Sequence, residues 1–127
     1  MARSNTIAQV NDVTRISAGT EIQGALVSNS DIRIDGVFEG DLVTSGKLVL
    51  GEKAVIKGNV MCNSADIWGT IEGTFTVGDI VTFRSGSSFD GSLKTIRICI
   101  EMGAEYSGDC TIIDEVEFKS ISAEYIR

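Results

Sequence analysis

A five-residue pattern recurs six times along the chain: an apolar residue, any residue, glycine, any residue and, in almost every copy, a second apolar residue. The central glycines are 15 to 18 residues apart: Gly24, Gly40, Gly58, Gly73, Gly91 and Gly108. Shorter segments lie between the copies, each with two apolar residues around a third, as in Ile32 and Ile34. A repeat of this length constrains the fold more than any other property of the sequence, because each repeat must form the same local structure.

The residues around each glycine alternate between apolar and polar. The residue two positions before the glycine is apolar or aromatic: Ile22, Phe38, Ile56, Ile71, Phe89 and Tyr106. The residue directly before it is polar: Gln23, Glu39, Lys57, Glu72, Asp90 and Ser107. A period of two predicts short strands, which bury their apolar side only by stacking on the strands of neighbouring repeats. We therefore predict an all-β fold, a parallel β-solenoid of about six windings of ~17 residues with three short strands per winding.

The composition agrees with this fold and excludes several functions. The 127 residues include 14 glycines and no proline, which suits continuous β pairing with many corners. There is no histidine, so the commonest general base and metal ligand is missing. The net charge of −7 argues against nucleic-acid binding, which requires a basic surface. We predict a non-enzyme with no catalytic, metal or cofactor-binding residues, and no cofactor.

We predict three regions: a flexible N-terminal tail at 1–15, the solenoid domain at 16–118 and a short C-terminal tail at 119–127. The N-terminus lacks the apolar core of a signal peptide, which indicates a cytoplasmic protein. Ile7, Val10, Val13 and Ile16 are three residues apart. This spacing also suits an amphipathic helix on a membrane, but the segment has few basic residues and no aromatic anchor. Such a stretch is more often a terminal tail or a strand that caps the first winding. The three cysteines form no C-x-x-C pair, and we predict that they are small buried residues without disulfides.

Three site hypotheses compete with a purely structural repeat. A phosphate-binding loop does not fit, because the glycines recur six times and open no helix. A left-handed hexapeptide solenoid of the acyltransferase type requires a strict period and usually a histidine. In this chain the period varies from 15 to 18 residues and histidine is absent, so that fold does not fit. Acidic pairs such as Glu39 and Asp41 suit acid–base catalysis in principle, but a solvated outer face explains them more simply.

The two ends of the solenoid are the strongest candidates for a functional surface. An open winding leaves a row of unpaired backbone groups and one exposed layer of core side chains, and such edges pair with other chains. The terminal repeats follow the same pattern as the inner ones, and the remaining tail, Asp114 onwards, is too short and strand-like for a thick cap. We predict end-to-end polymerisation. The predicted N-terminal interface contains Ile16, Ile22, Leu26, Ile32 and Ile34, and the C-terminal interface contains Tyr106, Cys110, Ile112, Val116 and Phe118.

A second candidate surface surrounds the lone tryptophan, Trp68. It follows the inward-facing Ile67, so strand alternation turns it outward. Its expected neighbours in the adjacent windings are Gly51 and Arg84, and stacking of the guanidinium on the indole would hold the ring at the surface. Trp68 and Arg84 are therefore predicted to form a lateral contact for a partner.

The sequence also resembles a known family. The segment ISAGTEIQGALVSNSDIRIDGVFEGDLVTSGKLVLGEKAVIKGNV, followed by ADIWGTIEGTF and MGAEYSGDC, is similar to bactofilins over about residues 16–113. The resemblance implies a right-handed β-helix that forms cytoskeletal filaments without nucleotide. It also implies a location in the bacterial cytoplasm, often at the inner face of the membrane, and a scaffold role in cell shape with cell-wall enzymes such as a peptidoglycan hydrolase as partners. The alternative is a monomeric β-helix that binds a partner through its acidic face or Trp68.

Overall fold

The computed structural model describes residues 13–125, which form ten strands and one helix. Residues 1–12, most of the predicted N-terminal tail, lie outside the described part of the chain. The elements are β1 Val13–Ile16, β2 Glu21–Ser28, β3 Asp31–Ile34, β4 Val37–Thr44, β5 Lys47–Leu50, β6 Val55–Cys62, β7 Ser64–Ile67, β8 Thr70–Phe83, β9 Ser88–Ile100, β10 Glu105–Ile112 and α1 Glu115–Tyr125.

The strands of the described range pair in parallel, and they build a solenoid of about six windings. One four-residue strand and one eight-residue strand make up each of the first three windings. In the later windings the long strands β8 and β9 each pass from one winding to the next, and β8 contains an irregularity between Val77 and Ile80. The predicted parallel β-solenoid is therefore confirmed.

The register of the strands matches the repeat in the sequence. Ile22 pairs with Phe38 in the next winding, and this column continues through equivalent positions to Phe89 and Tyr106. The polar residues that follow them, from Gln23 to Ser107, form a parallel column one position away. The shorter apolar segments pair in the same way, as Ile32 does with Leu48. Each copy of the pattern is thus one layer of the same stack.

The six central glycines form a column of their own, and each adopts a positive φ between 115° and 140°. Each is the fourth residue of an eight-residue strand segment, which it divides into two shorter segments. At Gly58, an added Cβ would lie 2.1 Å from the carbonyl oxygen of Gly40 in the preceding winding. Glycine is required there both for the backbone conformation and for the close approach of two windings.

The inward-facing apolar side chains stack in columns, and together they form one hydrophobic core that runs through the solenoid. In the later windings it is rich in aromatic rings. Phe89 contacts Phe75, Phe83 and Tyr106, with ring centroids 5.1 to 6.3 Å apart. Burial of these large side chains is the main stabilising term of a fold whose individual strands are short.

The C-terminal segment differs from the sequence-based prediction. Residues after Asp114 form helix α1 and not a strand-like tail. The Asp114 side chain accepts a hydrogen bond from the Glu117 backbone N at 2.8 Å, which caps the helix, and two acidic residues in its first turn favour the positive helix end. The helix turns back along β8, where the Phe118 ring lies over Gly78.

The prediction for the cysteines is only partly correct. All three are free thiols, but only Cys62 is buried. The prediction of burial is wrong for Cys99 and Cys110: Cys99 is exposed because it lies in an outward column between Ile98 and Ile100, and Cys110 because no further winding covers it among the described residues.

Candidate polymerisation and docking surfaces

At the N-terminal end of the solenoid, the edge of the first winding has no strand partner among the described residues. β1 pairs only with β3, and β2 only with β4. Ile22 and Leu26 of β2 are half-buried and pack on the core, and Ile16 of β1 is buried. These three predicted residues belong to the end layer.

Two other residues predicted for this interface do not reach the surface. Ile32 and Ile34 belong to the second winding, where they pair with Thr14 and Ile16 of β1. Both are 0% exposed. Because β1 covers them, their side chains support the end layer and do not contact another molecule directly. A strand capping the first winding is one interpretation of this segment, but the predicted interface does not take it into account.

At the C-terminal end, β10 pairs only with β9 among the described strands. Tyr106 is half-buried, while Cys110 and Ile112 are exposed, Ile112 by 58%. All three lie in the last winding. Ile98 and Ile100 of β9 belong to the same winding, and Ile100 is 47% exposed. The prediction omitted these two, although their place in the last apolar segment of the repeat would have identified them.

Val116 and Phe118 lie elsewhere than predicted, since both belong to α1. Val116 is 76% exposed on the helix surface. The Phe118 ring packs over Gly78, in β8, and not on the last winding. The helix lies along the side of the solenoid, so these residues do not form the C-terminal end layer.

Tyr106 connects the aromatic core to this end. Its ring stacks on Phe89 with centroids 5.1 Å apart and meets Phe83 edge-on. Its hydroxyl donates a hydrogen bond to the backbone oxygen of Asp109. Burial raises the pKa of the Tyr106 hydroxyl, and neighbouring Cys110 raises it further. The C-terminal end therefore presents a fixed, neutral aromatic ring beside a small exposed thiol.

The predicted surroundings of Trp68 are confirmed. The Trp68 backbone N donates to Leu50 O and the Arg84 backbone N donates to Ile67 O, so Trp68 lies between the windings that contain Gly51 and Arg84. The Arg84 guanidinium carbon lies 5.3 Å from the centroid of the indole ring. Trp68 remains 39% exposed. The ring is thus an aromatic surface held on one face by a cation.

A chain of ion pairs that the sequence did not reveal fixes Arg84. Its Nη2 lies 3.0 Å from Asp66 Oδ1, and its Nη1 lies 3.2 Å from Glu101 Oε2. Asp66 also pairs with Lys47, at 3.2 Å. Hydrogen bonds to Asp66 and Glu101 raise the pKa of Arg84. These partners are 17 to 19 residues apart in sequence, so only the stacking of windings brings them together.

The described residues contain no group of three or more cysteine, aspartate or glutamate side chains placed to hold a metal ion. Among the helices in the described range, none has the length and apolar character needed to cross a bilayer.

A short parallel β-solenoid with an unpaired strand edge at each end of its described part is the architecture of a polymer-forming structural protein. A family model described as Bactofilin: Polymer-forming cytoskeletal matches residues 14–111, more than half of the chain. The chain therefore belongs to the bactofilin family, a family of polymer-forming cytoskeletal proteins.

Curated relatives and solved structures agree with this assignment. The chain is 27% identical to Bactofilin BacP and 24% identical to Bactofilin BacO, both of Myxococcus xanthus strain DK1622. The match covers 76% of this chain in each case, but only 40% of BacP and 76% of BacO.

Two solved structures share the fold. The solid-state NMR structure of the cytoskeletal bactofilin BacA is 26% identical, with a TM-score of 0.72 over 80% of this chain and 97% of that one. The cryo-EM reconstruction of Thermus thermophilus bactofilin double helical filaments is 25% identical, with a TM-score of 0.73 over 79% of this chain and 99% of that one.

Proposed function

We propose that this chain is a non-catalytic cytoskeletal scaffold whose subunits join end to end into filaments without nucleotide. The filaments organise cell shape or the cell-wall machinery, in the cytoplasm or at the inner face of the membrane. The observation that carries the proposal is that two strand edges have no partner among residues 13–125: β1 with β2 at one end, and β10 with the last part of β9 at the other.

The side chains at the two ends support this mode of assembly. Tyr106 occupies the same column as Ile22, and Cys110 the same column as Leu26. A second copy placed on either end would pair its backbone with the open edge and cover these half-buried or exposed side chains. Such contacts satisfy unpaired N–H and C=O groups and bury apolar surface, so no nucleotide is needed to drive them.

We expect Ile22→Lys and Cys110→Arg each to abolish filaments, because each places a charge in an apolar contact where it loses its water. Matched controls are Gln23→Lys and Thr111→Arg, which put the same charge on the neighbouring outward positions. Sedimentation and negative-stain electron microscopy, both without nucleotide, measure the result. Filaments formed by both end variants would disprove end-to-end assembly.

The species left by each end variant also reports how subunits are oriented. If every contact joins an N-terminal end to a C-terminal end, either variant leaves monomers. If like ends meet, each variant leaves dimers joined through its intact end. Analytical ultracentrifugation distinguishes 13.5 kDa monomers from dimers.

The competing function is a monomeric binding module that uses the acidic or Trp68 face. The ordered ion pairs around Arg84 favour a docking role for this face in either case, since they hold the exposed indole in place. In the scaffold, partners such as a peptidoglycan hydrolase would bind along the filament side. A wild-type chain that stays monomeric at high concentration would favour the alternative.

A further inference from the structure

A small cavity of about 270 Å³ lies beside Trp68, on the side of Gly51. It is lined by Arg33, Gly51, Glu52 and Trp68, and we call it the Trp68 slot. Position 51 carries no side chain, whereas its neighbours in the column, Asp35 and Trp68, do, and the Asp35 carboxylate lies over Gly51. The volume is below the ~300–1,000 Å³ of pockets that take small-molecule ligands, so it suits one side chain.

Two charged residues line the slot, and only one of them is already in an ion pair. Arg33 is neutralised by Asp35, with Nε 2.9 Å from Oδ2 and Nη2 3.1 Å from Oδ1. Glu52 is exposed and forms no ion pair with any described residue. The unpaired charge in the lining of the slot itself is therefore negative, while the cation Lys53 lines only the adjoining space.

The indole ring of Trp68 already binds a guanidinium group on one face. One face already carries the guanidinium of Arg84 at 5.3 Å, and that cation is compensated by Asp66 and Glu101. Tryptophan is the best aromatic partner for a cation, and arginine is the cation most often found on it. A second guanidinium entering the slot would meet the ring and the free carboxylate of Glu52.

A second cavity of about 430 Å³ adjoins the slot, sharing Arg33 and Glu52 in its lining. Its other lining residues are Ser17, Ala18, Asp35 and Lys53, and Lys53 does not line the slot itself. A chain whose arginine fills the slot could continue into this cavity, so the site suits a side chain of a peptide better than a free ion.

We propose that the Trp68 slot binds an arginine side chain presented by a basic segment of a partner protein. This inference rests on the proposed scaffold function, because it names the chemistry by which the filament side recruits a partner. The net negative charge of the chain adds long-range attraction for such a segment.

Because Trp68 is the only tryptophan in the sequence, its fluorescence reports binding at the slot. The peptide acetyl-Gly-Gly-Arg-Gly-Gly-amide is titrated against the full chain while Trp68 fluorescence is followed. We expect a saturable change, and about three- to fivefold weaker binding of the same peptide with citrulline, which keeps the shape and loses the charge. Glu52→Gln is expected to weaken binding by a similar factor.

Two variants control this experiment. Glu72→Gln removes an equally exposed carboxylate from the column of outward residues before the glycines, and it should leave binding unchanged. In Gly51→Ala the new Cβ displaces the Asp35 carboxylate from Arg33, and the released positive charge at the slot should weaken binding of an arginine.

Four results would overturn the proposal: no binding of the arginine peptide, equal binding of the citrulline peptide, tighter binding of a peptide with phenylalanine in place of arginine, or equal loss from Glu72→Gln and Glu52→Gln. Sedimentation of the same samples keeps the two proposals separate. Arginine binding without filaments would refute the polymer and retain the slot, and filaments without arginine binding would do the reverse.

Discussion

At the residue scale, the same residue type acquires different chemistry from its depth in the stack. Cys62 is fully enclosed and pairs in register with Val77, whereas Cys110 is exposed in the last winding. Burial raises the pKa of the Cys62 thiol because desolvation disfavours the thiolate. Cys62 is therefore an apolar core residue at neutral pH, and its thiol is chemically inert.

The raised pKa of Cys62 has a consequence for stability. In the unfolded chain this thiol ionises near its ordinary value of 9.0, while in the folded chain it stays protonated. Stability is thus fully present below pH 9 and falls above it, by up to about 1.4 kcal/mol per pH unit. Urea unfolding at pH 8 and pH 10.5 should show a loss about 2 kcal/mol larger in the wild type than in Cys62→Val. Equal losses in both proteins would contradict this assignment.

At the element scale, α1 is the one described element outside the solenoid, and a single contact defines its position. A Cβ added at Gly78 would lie 2.5 Å from the Phe118 ring, so ring and glycine fit without spare room. The backbone irregularity between Val77 and Ile80 places this glycine at a break in the regular pairing. The helix therefore depends on a local departure from the repeat.

We expect Gly78→Ala to displace α1 while leaving the solenoid folded, because overpacking of this kind costs about 1–3 kcal/mol. Limited proteolysis should cleave the variant at Lys119 faster than the wild type, and the β-sheet signal in circular dichroism should be unchanged. Val116→Ala, an exposed change on the same helix, serves as the control. Unchanged protection of Lys119 in Gly78→Ala would show that Phe118 does not anchor the helix.

At the scale of the whole molecule, the Cβ position of each glycine in the central column points towards the preceding winding. An added Cβ at Gly40 would lie 1.9 Å from the oxygen of Gly24, and the same clash with the preceding winding recurs up to Gly108. At Gly24 itself, an added Cβ meets nothing within 4 Å. A side chain at this position is therefore tolerated by a single molecule but points towards whatever covers the N-terminal end.

Gly24→Ala should consequently fold and yet polymerise poorly, if another chain continues the column at this end. Gly86→Ala is the matched control, because Gly86 also has a positive φ and its added Cβ meets nothing within 4 Å. Both variants carry backbone strain, of the order of 1–3 kcal/mol each, because φ is 132° at Gly24 and 89° at Gly86. Critical concentrations from sedimentation should rise clearly for Gly24→Ala alone. An equal rise in both variants would attribute the effect to strain.

Much of the fold follows from the repeat alone. The period of the glycines and the alternation around them predicted parallel stacking, the inward columns and the neighbours of Trp68, and the register confirms all of these. The prediction was weaker where the repeat stops. It placed Ile32 and Ile34 at the surface, omitted Ile98 and Ile100, and assigned Phe118 to an end layer.

The sequence by itself determined the solenoid, because a repeated pattern of side chains imposes the same strand contacts in every winding. Only the tertiary structure decided that β1 belongs to the first winding, where α1 lies and which residues pair with Arg84. These depend on contacts made once, between Phe118 and Gly78 or between Asp66 and Arg84, and a contact that occurs once leaves no period in the sequence. The surfaces proposed to join other molecules are formed where the repeat ends or where Gly51 interrupts it.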